Sequence, residues 1–141
     1  MINFITHGID MPQLIITRKS VLVQWIGSVA ADYGFGVGNI NYILCTDEEI
    51  LQTNREFLSH DYYTDVITFD YTTRSVLNGD IFISLDTVRS NAESLGVGFD
   101  EELCRILIHG VLHLTGQADK TPDTRVEMTR KENLALSKRH F

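Results

Sequence analysis

Cysteine and positive charge are both scarce in this chain of 141 residues. Its 2 cysteines, Cys45 and Cys104, lie far apart, each inside an apolar run. No C-x-x-C pair exists, which excludes a zinc ribbon and a thioredoxin-like redox motif. Two buried thiols in a reducing compartment are expected instead. Lys and Arg number 12 against 19 Asp and Glu, for a formal net charge of −7. That excludes a protein whose whole surface is a nucleic-acid glove. It leaves room for a local basic groove, because phosphate responds to local potential as well as to total charge. The opening "MINFITHGID" has neither a basic start nor a long apolar core, so no signal peptide is expected. No stretch approaches about 18 consecutive apolar residues, so no membrane-spanning helix is expected, and the expected location is the cytoplasm. Internal repeats and low-complexity linkers are missing too.

What remains is an ordinary globular composition, 43% hydrophobic and 22% charged. It suits one domain over residues 1–141 with one sizeable core.

Periodicity divides the chain into alternating elements. "INFITHGI" is β-branched and aromatic enough for a strand. From Arg18 a helical stripe runs through Val21, Leu22, Trp25, Ile26, Val29 and Tyr33, with Thr17 as N-cap and Gly34 as stop. "GNINYILCT" reads as a second strand, followed by a helix whose Thr46 and Glu49 form a capping-box pattern. "TDVITFDY" alternates as a strand should, "NGD" reads as a turn, and "DIFISL" as the hairpin partner. "DTVRSNAESLG" is a helix closed by Gly96. Asp100 is placed to cap the next helix, whose "LCRILIHGVLHL" is apolar on nearly every side and so reads as buried. Gly116 ends it. Thr121 and Pro122 open a last helix, with an apolar face through Val126, Leu134 and Leu136. Its Arg125, Arg130, Lys131, Lys138 and Arg139 are interleaved with Glu127 and Glu132, as on a solvated face. The fold class expected is α/β or α+β: a small mixed sheet of about four strands, surrounding helices and a buried metal-binding helix.

The chemistry concentrates in "HGVLHLTGQAD", from His109 to Asp119. His109 and His113 are four apart, so their side chains share one helix face. Zinc accepts neutral imidazole nitrogen and carboxylate oxygen. Gly116 falls where the chain must reverse, and Asp119 falls where a third ligand is needed. Three protein ligands leave a fourth place for water, as in catalytic rather than structural zinc sites. Asp123 is the rival third ligand. One divalent ion is expected, with zinc the first choice and iron(II) open, since two histidines and a carboxylate also suit non-haem iron. The spacing is close to that of zinc peptidases, but Gly110 stands where those enzymes keep a glutamate base. Peptide hydrolysis is thereby weakened, and metal-assisted phosphodiester hydrolysis stays available. No general base is evident.

The same stretch resembles the H-G-x-L-H-L-x-G-x-D-H signature of the YbeY family, bacterial endoribonucleases of ribosomal RNA maturation. "LQTNREF" followed by "DYYTDVITF" resembles that family's L-N-x-x-F/Y-R and D-x-x-T-D/N-V-L-S-F segments. "GDIFIS" resembles its G-D-I-x-I-S strand. The likeness runs from about Leu51 to Asp119. It implies a single α/β domain with a zinc-like ion in a cleft. It also implies cleavage of single-stranded ribosomal RNA in ribosome maturation and quality control, with the ribosome and its proteins as partners. A monomer is expected. Two departures stand out: the family's third histidine is Asp119 here, and the arginine after the aromatic is Leu58. Arg55, one helical turn earlier, could replace that arginine. Lys120, beside the third ligand, is a second candidate for phosphate. Thr64 and Asp65 would line the cleft or orient a ligand histidine. His7, His60 and His140 read as ordinary polar residues. The competing readings are a zincin-like peptidase or other metallohydrolase, and a metal-stabilised ribosome-assembly factor with little catalysis.

Overall fold

The computed structural model describes residues 1–57 and 66–141. Leu58, His60, Thr64 and Asp65 lie outside the described residues. The element order is β1 (Ile2–Thr6), α1 (Gln13–Asp32), β2 (Gly36–Cys45), α2 (Asp47–Phe57), β3 (Val66–Asp70), β4 (Val76–Ser84), α3 (Leu85–Leu95), α4 (Phe99–Leu114) and α5 (Pro122–Ser137). The four strands form one mixed sheet in the order β1-β2-β4-β3. β1, β2 and β4 run parallel, and β3 pairs antiparallel with β4 from Val66↔Ile83 to Asp70↔Gly79. This is the α+β domain that the alternating pattern implies.

The faces of the sheet follow from strand alternation. Ile40, Tyr42 and Leu44 of β2 and Leu77, Ile81 and Ile83 of β4 are fully buried in the main core. The Tyr42 hydroxyl donates to the Leu107 carbonyl of α4, 2.8 Å away, so this face carries α4. Burial pushes that phenol far above its ordinary range. The alternate positions Cys45, Ile67, Phe69 and Phe82 pack with Ile50 of α2 into a smaller cluster on the other face.

α1 is long and apolar enough by composition to cross a membrane. Its stripe is taken up inside the protein: Leu22, Trp25, Ile26 and Val29 are buried, and the Trp25 indole N–H donates to the Ala135 carbonyl of α5 at 2.9 Å. The helix begins at Gln13, earlier than the stripe suggests, and is interrupted at Arg18 (φ −126°, ψ 22°). Thr17 is therefore inside the first segment, and its hydroxyl bonds back to the Gln13 carbonyl instead of capping. Burial of Ile15 accounts for the extra turn.

Four further expectations shift. Asn78, Gly79 and Asp80 do not form a turn but lie inside β4, and the chain reverses at Arg74 and Ser75. A Cβ at Gly79 would sit 2.7 Å from the Phe69 carbonyl oxygen and 2.9 Å from Leu114 of α4, so this glycine answers close packing. The N-cap of α4 is Gly98, with Asp100, Glu101 and Glu102 in the first turn, where they complement the helix dipole. The inward face of α5 differs in part from the expected one: Leu136 packs against the core, but Val126 and Leu134 are 71% and 44% exposed, while Met128, Glu132 and Ala135 face inward. At the start of α2, Thr46 accepts the Glu49 N–H, which is half of the capping box. The Glu49 carboxylate accepts from the Thr46 hydroxyl at 3.4 Å rather than from its backbone N–H, and its other oxygen is paired with the His7 ring.

Candidate metal centre

α4 presents its last two turns as a site. His109 and His113 stand side by side, ring centroids 4.6 Å apart and nearly perpendicular. Beyond Leu114 the chain turns sharply. Gly116 N–H donates to His113 O at 2.9 Å and Gln117 N–H to Leu112 O at 3.1 Å, a Schellman closure with Gly116 at φ +100°. A side chain would resist that φ, so glycine is required where the loop folds back. The reversal brings Asp119 Oδ2 to 3.4 Å from His109 Nε2 and 3.3 Å from His113 Nε2.

These distances fit a metal. A tetrahedral ion with ligands about 2.0–2.1 Å away sets its donors about 3.3–3.4 Å from one another. One donor atom from each of His109, His113 and Asp119 lies within 4.8 Å of the others, so the three could hold a metal ion. The donor chemistry, two imidazole nitrogens and one carboxylate oxygen, suits zinc and also iron(II). Asp123 lies in the first turn of α5 and is outside this group. The three side chains are 16%, 26% and 31% exposed, so a substrate can reach them.

Each imidazole is anchored through its other nitrogen. His113 Nδ1 meets the Gln117 carbonyl at 3.0 Å, which makes Nδ1 the protonated nitrogen and leaves Nε2 toward the site. Burial, and then the neighbouring His109, hold the His113 pKa below its ordinary value and favour the neutral form a metal requires. His109 Nδ1 meets Glu132 Oε2 at 2.5 Å. Glu132 is 7% exposed, and its other oxygen accepts from Arg105 Nη1 at 3.0 Å. Sequence reasoning missed Glu132 by placing it on a solvated face. The available signal was its spacing from Met128 and Ala135, which continues an inward stripe.

Gly110 has a structural cause. A Cβ there would lie 2.9 Å from both Cδ1 and Cγ2 of the fully buried Ile81. α4 is seated so close to β4 that any side chain at this position must displace Ile81, which disfavours the glutamate base of the peptidase arrangement. Lys120 follows Asp119 and is exposed, and its carbonyl accepts from Arg125 Nη1 at 3.2 Å. Arg55 is not brought into the donor group; it is exposed in the last turn of α2, on the other face of the sheet.

Comparison with known proteins gives a consistent likeness. The family model described as endoribonuclease YbeY matches residues 7–140. The chain is 51% identical over 138 residues to the endoribonuclease YbeY of Bacteroides thetaiotaomicron, covering 98% of each. It is 53% identical over 136 residues to that of Parabacteroides distasonis, covering 96% of this chain and 94% of the relative. A solution structure of a Thermotoga maritima protein superposes with a TM-score of 0.67 at 26% identity, over 97% of this chain and 87% of that one.

Proposed function

This chain belongs to the YbeY endoribonuclease family, and we propose that it is a metal-dependent endoribonuclease whose ion is held by His109, His113 and Asp119. The observation that carries the reading is the convergence of three donors within 4.8 Å of one another at the end of α4, with Asp119 Oδ2 at 3.4 and 3.3 Å from the two histidine nitrogens. We assign zinc to the site, because two imidazoles and one carboxylate at that spacing satisfy it with a fourth position left over. When bound, such an ion supplies a Lewis acid for a phosphoryl oxygen and acidifies water. His109 and His113 contribute neutral nitrogens through Nε2, and Asp119 contributes the one negative charge. The Lys120 ammonium, next in the chain, offers positive charge to the phosphate being cleaved. Gly110 offers no side chain for proton transfer, which suits phosphodiester better than peptide hydrolysis.

The substrate assigned is single-stranded ribosomal RNA, cut during ribosome maturation and quality control by a monomer in the cytoplasm that meets the ribosome and its proteins. Support comes from the near full-length likeness to proteins named endoribonuclease and from the reachable donor group. The test is a substrate panel. Zinc-loaded protein is incubated with single-stranded RNA, duplex RNA and casein, with His113→Ala as control. Cleavage of single-stranded RNA alone, lost in the variant, is the expected outcome. Casein cleavage, or RNA cleavage that survives His113→Ala, would overturn the assignment.

A further inference from the structure

Glu132 is a buried carboxylate with two different partners. Oε1 accepts from Arg105 Nη1 at 3.0 Å, and Oε2 meets His109 Nδ1 at 2.5 Å. Arg105 is fixed in turn, its Nη2 donating to Asn133 Oδ1 at 2.8 Å. An ionised carboxylate can only accept, so beside ionised Glu132 the neutral imidazole that a metal requires carries its proton on Nδ1. Nε2 is then the lone-pair nitrogen, and it is the atom 3.4 Å from Asp119 Oδ2. We infer that Glu132 is the positioning residue of the metal centre: held by Arg105, it sets the tautomer and aim of His109. This rests on the metal-site reading above. It gives the two histidines unequal anchors, since His113 leans on the Gln117 carbonyl, which no substitution removes, and His109 on a side chain of α5.

Glutamine at position 132 separates positioning from packing. It has one accepting and one donating end. With its oxygen toward His109, its amide group opposes the Arg105 guanidinium, donor against donor. With its oxygen toward Arg105, its amide group donates to His109 Nδ1 and drives the proton onto Nε2, the nitrogen the metal needs. Glu132→Gln should therefore hold zinc about tenfold to hundredfold more weakly, the range for losing a group that orients a ligand histidine. Removing the guanidinium as well, in Arg105→Ala/Glu132→Gln, frees the glutamine oxygen to face His109. Zinc affinity should recover in part, although a second contact has been lost. A purely structural role would make the double variant equal to or worse than the single one.

Zinc affinity is read by competition with a chromophoric chelator, and the tautomer by side-chain ¹⁵N shifts of His109 in metal-free protein. The expected results are an Nδ1–H tautomer in the wild type, weaker zinc binding in Glu132→Gln, and partial recovery in the double variant. Affinity of Glu132→Gln within about twofold of wild type, while His113→Ala loses zinc, would overturn the role of Glu132 and leave the metal site standing. A wild-type protein that takes up no zinc would overturn both. If Glu132→Gln does not fold, the wild-type spectrum decides alone: an Nε2–H tautomer for His109 contradicts the inference and an Nδ1–H tautomer supports it.

Discussion

Adding one methyl group at Gly110 tests how closely α4 sits on the sheet. The alanine Cβ would lie 2.9 Å from two carbons of Ile81, Cδ1 and Cγ2. Cγ2 sits on the branched Cβ of a fully buried residue in an interior strand, so it cannot swing away cheaply. Overpacking of this kind costs about 1–3 kcal/mol. Against it stands the gain of about 1 kcal/mol for replacing glycine by alanine inside a helix. The expected balance for Gly110→Ala is a loss of about 1 kcal/mol, or a melting temperature lower by about 3 °C for a domain of this size. Equilibrium urea unfolding of metal-free protein measures it. A double-mutant cycle identifies the cause. Ile81→Ala alone should cost about 2–5 kcal/mol. Combined with Gly110→Ala, the new Cβ enters the vacated space, and the pair should be less destabilised than the sum by about 1 kcal/mol. A Gly110→Ala protein more stable than wild type, or strict additivity in the cycle, would refute the reasoning about close seating.

Other consequences follow from the same packing. Gly116→Ala puts a side chain at φ +100°; it should cost about 1–2 kcal/mol and weaken zinc binding by displacing the loop that delivers Asp119, read by unfolding and by chelator competition. Trp25→Phe removes the indole N–H that the buried Ala135 carbonyl accepts. It should cost about 1–3 kcal/mol in denaturant, and loosen α5, read by faster amide exchange there. The Cys45 thiol is pushed up to about 12, first by burial and then by Glu49, Asp86 and Asp47, and burial also raises Cys104. Since the thiolate is the reactive form, neither should be alkylated by iodoacetamide at pH 8 until the protein unfolds; rapid native modification would contradict that.

Features governed by neighbours in the chain were legible in the sequence. The histidine pair depends on helical spacing, and the return of Asp119 on a glycine three residues beyond His113. Features governed by distant contacts were not. Asn78-Gly79-Asp80 has the composition of a turn, yet Gly79 is glycine because the Phe69 carbonyl and Leu114 approach it. Periodicity placed Leu136 of α5 correctly against the core but not Val126 or Leu134, and it missed Glu132, which is buried through contacts with Arg105 and His109 on another helix. Gly110 pointed away from a peptidase, but the reason lies in Ile81, 29 positions earlier in the chain.

The most direct measurement is a zinc titration of metal-free protein, read as the cleavage rate of single-stranded RNA. The rate should rise from background to a plateau at about one equivalent of zinc, the capacity of a single three-ligand site. His113→Ala should stay at background through the same range. Cleavage by metal-free protein that zinc does not change, or a His113→Ala curve that overlays the wild type, would contradict the assignment of catalysis to His109, His113 and Asp119.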